Sequence, residues 1–92
     1  MSSWRTPALK LLAHTLRTIK NDDEALRFLR DLCTLDELAE LSARWQAAQL
    51  LNRGLPYRSV AAKTGLSTTT VTRISHWLHH GEGGYRAALK KG

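Results

Sequence analysis

The twenty residues YRSVAAKTGLSTTTVTRISH, Tyr57 to His76, decide the fold. Two short helices meeting near a right angle through a turn of about three residues need a small residue at their contact and a glycine free to take positive φ. They also need apolar residues at fixed steps to lock them together. Ala61 stands at the contact, Gly65 in the turn, and Val60, Leu66, Val71 and Ile74 at the lock positions. Thr64 is a weaker filler than the leucine that would suit its place. The spacing predicts a helix-turn-helix, with one helix over 56–64 and a second over 67–80.

Wound at about 100° per residue, the second helix, STTTVTRISHWLHH, separates into two faces. Val71, Ile74, Trp77 and Leu78 share one flank with the methyl of Thr70, whereas Thr68, Thr69, Thr72, Arg73, His76, His79 and His80 share the other. Threonine is an indifferent helix former because its branched side chain loses rotamer freedom and its hydroxyl competes for backbone hydrogen bonds. A surface of short alcohols therefore needs a reason. In a helix-turn-helix the N-terminal part of the second helix enters the major groove of DNA, where bulky side chains would hold the backbone away from the base edges. Threonine is short, donates and accepts through one hydroxyl, and offers a methyl to thymine.

The candidate DNA-binding residues are Arg58, Lys63, Ser67, Thr68, Thr69, Thr70, Thr72, Arg73 and His76. Ser67 and the amides beside it suit a phosphate at the positive end of the helix. Arg58 can reach a guanine edge or a phosphate, and Lys63 and Arg73 are placed for phosphate contacts.

Charge along the chain agrees with a polyanionic partner. Residues 1–21 hold four basic side chains and no acid. Residues 22–40 hold seven acids against Arg27 and Arg30, and residues 41–92 hold eight basic residues against Glu82. The blocks are +4, −5 and +7, which add to the net +6. A half this basic attracts a polyanion.

The rest of the chain reads as helix. Thr6 caps a first helix that has Pro7 at its opening position, where a missing N–H costs nothing, and Leu9, Leu12, Leu16 and Ile19 follow at helical steps. Asn21 starts a second helix with Glu24 as reciprocal cap, and Thr34 a third with Glu37, running to Leu51 before Gly54. After a GEGG break, Tyr85 to Lys91 form a sixth. No alternating run long enough for a strand occurs.

Ninety-two residues read as one domain, 1–92, with dimerisation helices over 1–54, the helix-turn-helix over 56–80 and a C-terminal helix or tail over 81–92. A chain this short buries only about 60–65% of its unfolded surface. Its early helices carry apolar residues on more than one flank, so an intertwined homodimer is expected. Cys33, alone, cannot form an internal disulfide and reads as a small buried hydrophobe. His14, on an apolar helix, reads as an interior or edge histidine. No apolar run of signal-peptide or membrane-span length occurs, so no membrane partner is expected and a cytoplasmic location is.

The run from Thr34 to Ser75, TLDELAELSARWQAAQLLNRGLPYRSVAAKTGLSTTTVTRIS, resembles the Trp repressor superfamily, most closely its YerC/YecD branch, which ends in a glycine-rich segment like Gly83-Gly84-Tyr85 here. The resemblance implies a six-helix all-α fold, an interlaced dimer whose two heads enter successive major grooves of a palindromic operator, and repression of transcription. It also implies a tryptophan pocket, whose matching residues are Thr34, Arg44 and Arg73. Guanidinium groups suit a carboxylate ligand. The chain departs from the family where the repressor's glycine is replaced by Ile74, and again at Trp77. Either these bulky groups fill the pocket and act as a built-in wedge, so that no cofactor is needed, or a small effector is sensed, L-tryptophan or a different, smaller one.

Three rival readings remain. His76, His79 and His80 have a spacing that can bring two imidazoles to one metal, yet no Cys or carboxylate completes a tetrahedral set, so no metal is expected. No serine, histidine or aspartate stands in an activating context, so no catalysis is expected. A protein-interaction module of the transcription machinery that reuses the helix-turn-helix shape is the alternative, and salt separates the two. Phosphate contacts make affinity fall steeply with salt, whereas a protein partner need not.

Overall fold

A computed structural model describes residues 3–91. Among these residues it contains six helices and no strand: α1 (Pro7–Thr18), α2 (Asp22–Leu32), α3 (Leu35–Asn52), α4 (Tyr57–Thr64), α5 (Thr68–His80) and α6 (Gly84–Lys91). The all-α reading holds, with boundaries displaced by one residue. Pro56 and Ser67 stand outside their helices as caps, and α6 opens at Gly84 instead of Tyr85. Among the described residues no helix is long and apolar enough to cross a membrane.

Local chemistry sets the helix ends. The Thr6 hydroxyl accepts from the Leu9 N–H at 3.1 Å, and the Asn21 side chain accepts from the Glu24 N–H at 2.9 Å. The Glu24 carboxylate does not return to Asn21, as a reciprocal box would have it; it accepts from the Lys20 N–H at 2.8 Å. A carboxylate on a rotatable stem can serve either of two successive amides, and here it reaches the earlier one. At the other end of α3, Gly54 takes φ +88°. Its N–H donates to Leu51 O at 3.0 Å, and the Leu55 N–H donates back to Leu50 O at 3.3 Å. That pair of bonds closes the last turn and carries Leu55 onto the core, beside the helix it ends.

The chain divides into two compact units between Leu35 and Asp36. In the first, neither α1 nor α2 contains a buried residue, and Leu11 and Leu26 are 70% and 66% exposed. Cys33 is only half-buried, not the buried hydrophobe expected, and His14, read as an interior or edge histidine, is exposed; α1 and α2 contain no buried residue that could form a core around them. In the second unit, Ala47, Ala48, Leu50, Val60, Val71 and Ile74 form one buried cluster. The two alanines bring the α3 side of the cluster against α4 and α5 residues, and Trp45, Leu51, Leu55, Ala61, Leu66 and Tyr85 pack against it. Tyr85 of α6 stacks on Trp45 at 6.2 Å between centroids. Arg86 donates to the Leu78 and His79 carbonyls at the end of α5, so α6 satisfies acceptors that α5 cannot satisfy within itself.

Candidate nucleic-acid interface

The turn between α4 and α5 is set by Gly65 and Thr64. Gly65 takes φ +77°, and its N–H donates to Ala61 O at 2.9 Å. A Cβ placed there would meet nothing within 4 Å, so the backbone conformation, not space, requires the glycine. Thr64 does more than fill: its hydroxyl donates to Val60 O at 2.8 Å and accepts from the Leu66 N–H at 3.3 Å, closing α4 and serving an amide of the turn. Leucine could pack there but could not do that.

Ser67 caps α5. Its Oγ accepts from the Thr70 N–H at 3.1 Å and donates to Thr70 Oγ1 at 3.0 Å. Below the cap the helix has the two faces expected of it. Val71 and Ile74 are fully buried and Leu78 is 4% exposed, while Thr68, Thr69, Thr72, Arg73 and His76 are exposed.

The alcohols are not equivalent. Ser67 and Thr70 are joined to each other, and the Thr72 hydroxyl donates to Thr68 O at 2.9 Å. The hydroxyls of Thr68 and Thr69 make no hydrogen bond among the described residues, so their donors and acceptors are uncommitted. Arg58, Lys63 and Arg73 are exposed and form no ion pair among the described residues, so these three cations are unpaired.

Two residues that the sequence pattern did not single out hold α4 to α5. Ser75 is 6% exposed, a hydroxyl inside the stripe formed by Val71, Ile74 and Leu78. It accepts from the Tyr57 hydroxyl at 2.6 Å. The signal was present as a serine at the i+4 step from Val71 and the i−3 step from Leu78, on the buried side of the wheel.

Of the residues matched to an effector pocket, Arg44 has other commitments. Arg44 Nε pairs with Glu40 at 3.0 Å, and its guanidinium lies 5.8 Å from the centre of the Trp77 ring. Ile74 belongs to the core cluster. Trp77, expected on the apolar flank, is 41% exposed. Its backbone sits at the edge of the buried stripe, and its ring, with Arg44 over it, lines an open groove of about 610 Å³ with His80, Gly81, Glu82, Gly84 and Tyr85. Thr34 is exposed, directly before α3, and Arg73 is exposed on α5. The His76 and His80 rings lie 5.2 Å apart, but among the described residues no group of three or more potential ligands comes together to hold a metal.

A family model described as Trp repressor protein matches residues 7–92. The chain is 33% identical over 87 residues to YerC of Bacillus subtilis, a match that covers 95% of this chain and 84% of that protein. It is 34% identical over 79 residues to the Trp operon repressor homolog of Actinobacillus succinogenes, covering 85% of this chain and 73% of the other. The crystal structure of a TrpR like protein from Eubacterium eligens superposes with a TM-score of 0.88 at 34% identity, covering 95% of this chain and 90% of that one.

Proposed function

We propose that this chain, which belongs to the Trp repressor family of DNA-binding transcription regulators, represses transcription by binding a palindromic operator as a homodimer. The observation that carries this reading is the α5 surface, where the uncommitted hydroxyls of Thr68 and Thr69 share an exposed face with Arg73, opposite a flank buried down to Val71 and Ile74. Thr69 and Thr72 read base edges, Arg58 meets a guanine or a phosphate, and Ser67, Lys63 and Arg73 hold the phosphate backbone. Thr68, Thr70 and His76 complete the contact surface.

Residues 1–54 supply the dimer, 56–80 the reading head and 81–92 the C-terminal segment, whose helix α6 braces the end of α5. The exposure of Leu11, Leu26, Leu32 and Leu35, between 51% and 70%, supports a second copy covering this surface. Two-fold symmetry in the protein then demands two-fold symmetry in the operator.

Binding proceeds without a resident effector. Ile74 is packed in the core and Arg44 is engaged by Glu40 and Trp77, which supports a head whose posture is fixed by its own side chains. Selection of bound duplexes from a random pool, run with and without L-tryptophan, tests all of this. The expected result is one enriched palindrome, indifferent to tryptophan, with affinity falling about three decades or more between 50 and 200 mM salt. No enrichment, with a flat salt response, would instead support a protein partner.

A further inference from the structure

Packing alone leaves open how α5 is aimed. Contacts among Val60, Leu66, Val71 and Ile74 are non-directional, and an apolar lock tolerates small rotations and slips of one helix on the other. A hydrogen bond between two side-chain hydroxyls does not, because it has a length and an angle to keep. The second unit has one such bond across the helix-turn-helix, from the Tyr57 hydroxyl to Ser75 Oγ at 2.6 Å, spanning eighteen residues of sequence.

Both ends are placed where aim matters. Tyr57, 43% exposed, opens α4 and is joined directly to Arg58, and its hydroxyl reaches from the start of one helix to Ser75 of the next. Ser75 is followed by His76 and stands one turn after Thr72, so its position sets where both side chains point. A hydroxyl inside an apolar stripe is costly unless bonded, so the geometry that keeps Ser75 satisfied is favoured over its neighbours.

We infer that the Tyr57–Ser75 pair consists of positioning residues for operator discrimination: the bond fixes the angle between α4 and α5, and with it the register of Arg58, Thr72 and His76 on the base pairs. The inference rests on the DNA-binding reading. Neither residue needs to touch DNA to act in this way.

The test uses the full chain and three variants, Tyr57→Phe, Ser75→Ala and the double variant, with affinity measured on the selected duplex and on a random one, and thermal unfolding followed alongside. Each single variant is expected to lower the ratio of selected to random affinity by about 3- to 10-fold, the range of one net hydrogen bond. Affinity for the random duplex and the salt slope stay as in the wild type, since no phosphate contact is removed. The double variant, which removes the buried hydroxyl with its partner and so keeps an apolar interface that folds, is expected to match either single variant because one bond is lost in all three. An unchanged ratio, an equal loss on both duplexes, or losses that add in the double variant would overturn the positioning role. A wild-type chain with no preference between duplexes would overturn the DNA reading and this inference with it.

Discussion

Residues 3–35 and residues 36–91 make helices by different means. In α1 and α2 every side chain has solvent access, and what can be seen holding them is local: the Thr6 and Asn21 caps, Pro7 at the first position, three acids in the first turn of α2, and the Asp23–Arg27 pair at 3.0 Å. In α5 the local terms are poor, with four threonines among its first five residues, yet the helix runs unbroken because one flank is packed against α3 and α4. Capped, well-formed helices with uncovered leucines are suited to a partner, whereas a helix held from behind by its own core can give its front face to chemistry instead of propensity.

The largest effect expected from this contrast is on stability. Ile74→Ala removes a fully buried side chain from the core cluster and should cost about 2–5 kcal/mol in denaturant unfolding. Leu11→Asp with Leu26→Asp touches no buried residue. It should leave the second unit's unfolding unchanged while reducing the mass by sedimentation to that of one chain. Both variants costing alike at high dilution, or the leucine pair leaving the mass untouched, would erase the distinction between an internal core and a surface awaiting a second copy.

The next effect is on reading. Thr69 and Thr72 are both exposed, but Thr72 donates its proton to Thr68 O, which leaves it an acceptor and a methyl, whereas Thr69 keeps its donor. Thr69→Ala is therefore expected to relax base preference at one position by about 1–3 kcal/mol, with nonspecific binding intact. Thr72→Val, which preserves the methyl, should cost less than Thr72→Ala if the methyl contacts thymine. A competition series on duplexes mutated one base pair at a time distinguishes them. A larger loss for Thr72→Val than for Thr69→Ala would reverse the assignment.

Local signals made much of this legible in the sequence. The Thr6 and Asn21 caps, Gly54 and Gly65, and the buried Val71–Ile74–Leu78 flank follow from rules that span a few residues. What escaped depends on size, or on contacts distant in the chain. Trp77 shares a wheel flank with Ile74 and Leu78, but the wheel carries no side-chain volume, and an indole at the edge of a stripe spreads over the surface under Arg44. The Tyr57–Ser75 bond was hidden because a serine on an apolar flank looks like an interruption until its partner, eighteen residues away, is brought to it. The glycine matched by Ile74 raised the question of an effector, but only the packing shows Ile74 inside the core and Arg44 tied to Glu40.

The smallest effect is also the most direct comparison of the two regions, because the same kind of cap opens a helix in each. Thr6 accepts from Leu9 N–H and Ser67 from Thr70 N–H, both at 3.1 Å, so Thr6→Ala and Ser67→Ala remove equivalent bonds, each about 1 kcal/mol. The consequences should differ. The helix with no buried side chain has little to resist fraying, so Thr6→Ala should raise amide exchange through the first turns of α1 with no change in the global transition. In α5 the first turn is anchored at the helix's fourth residue by Val71, which is fully buried, so Ser67→Ala should appear in the midpoint of global unfolding while exchange rises at Thr70 alone, whose amide loses its acceptor. If instead both caps altered only local exchange, the buried flank would not be what holds the threonine-rich turn in helical form, and the second region would be as locally determined as the first.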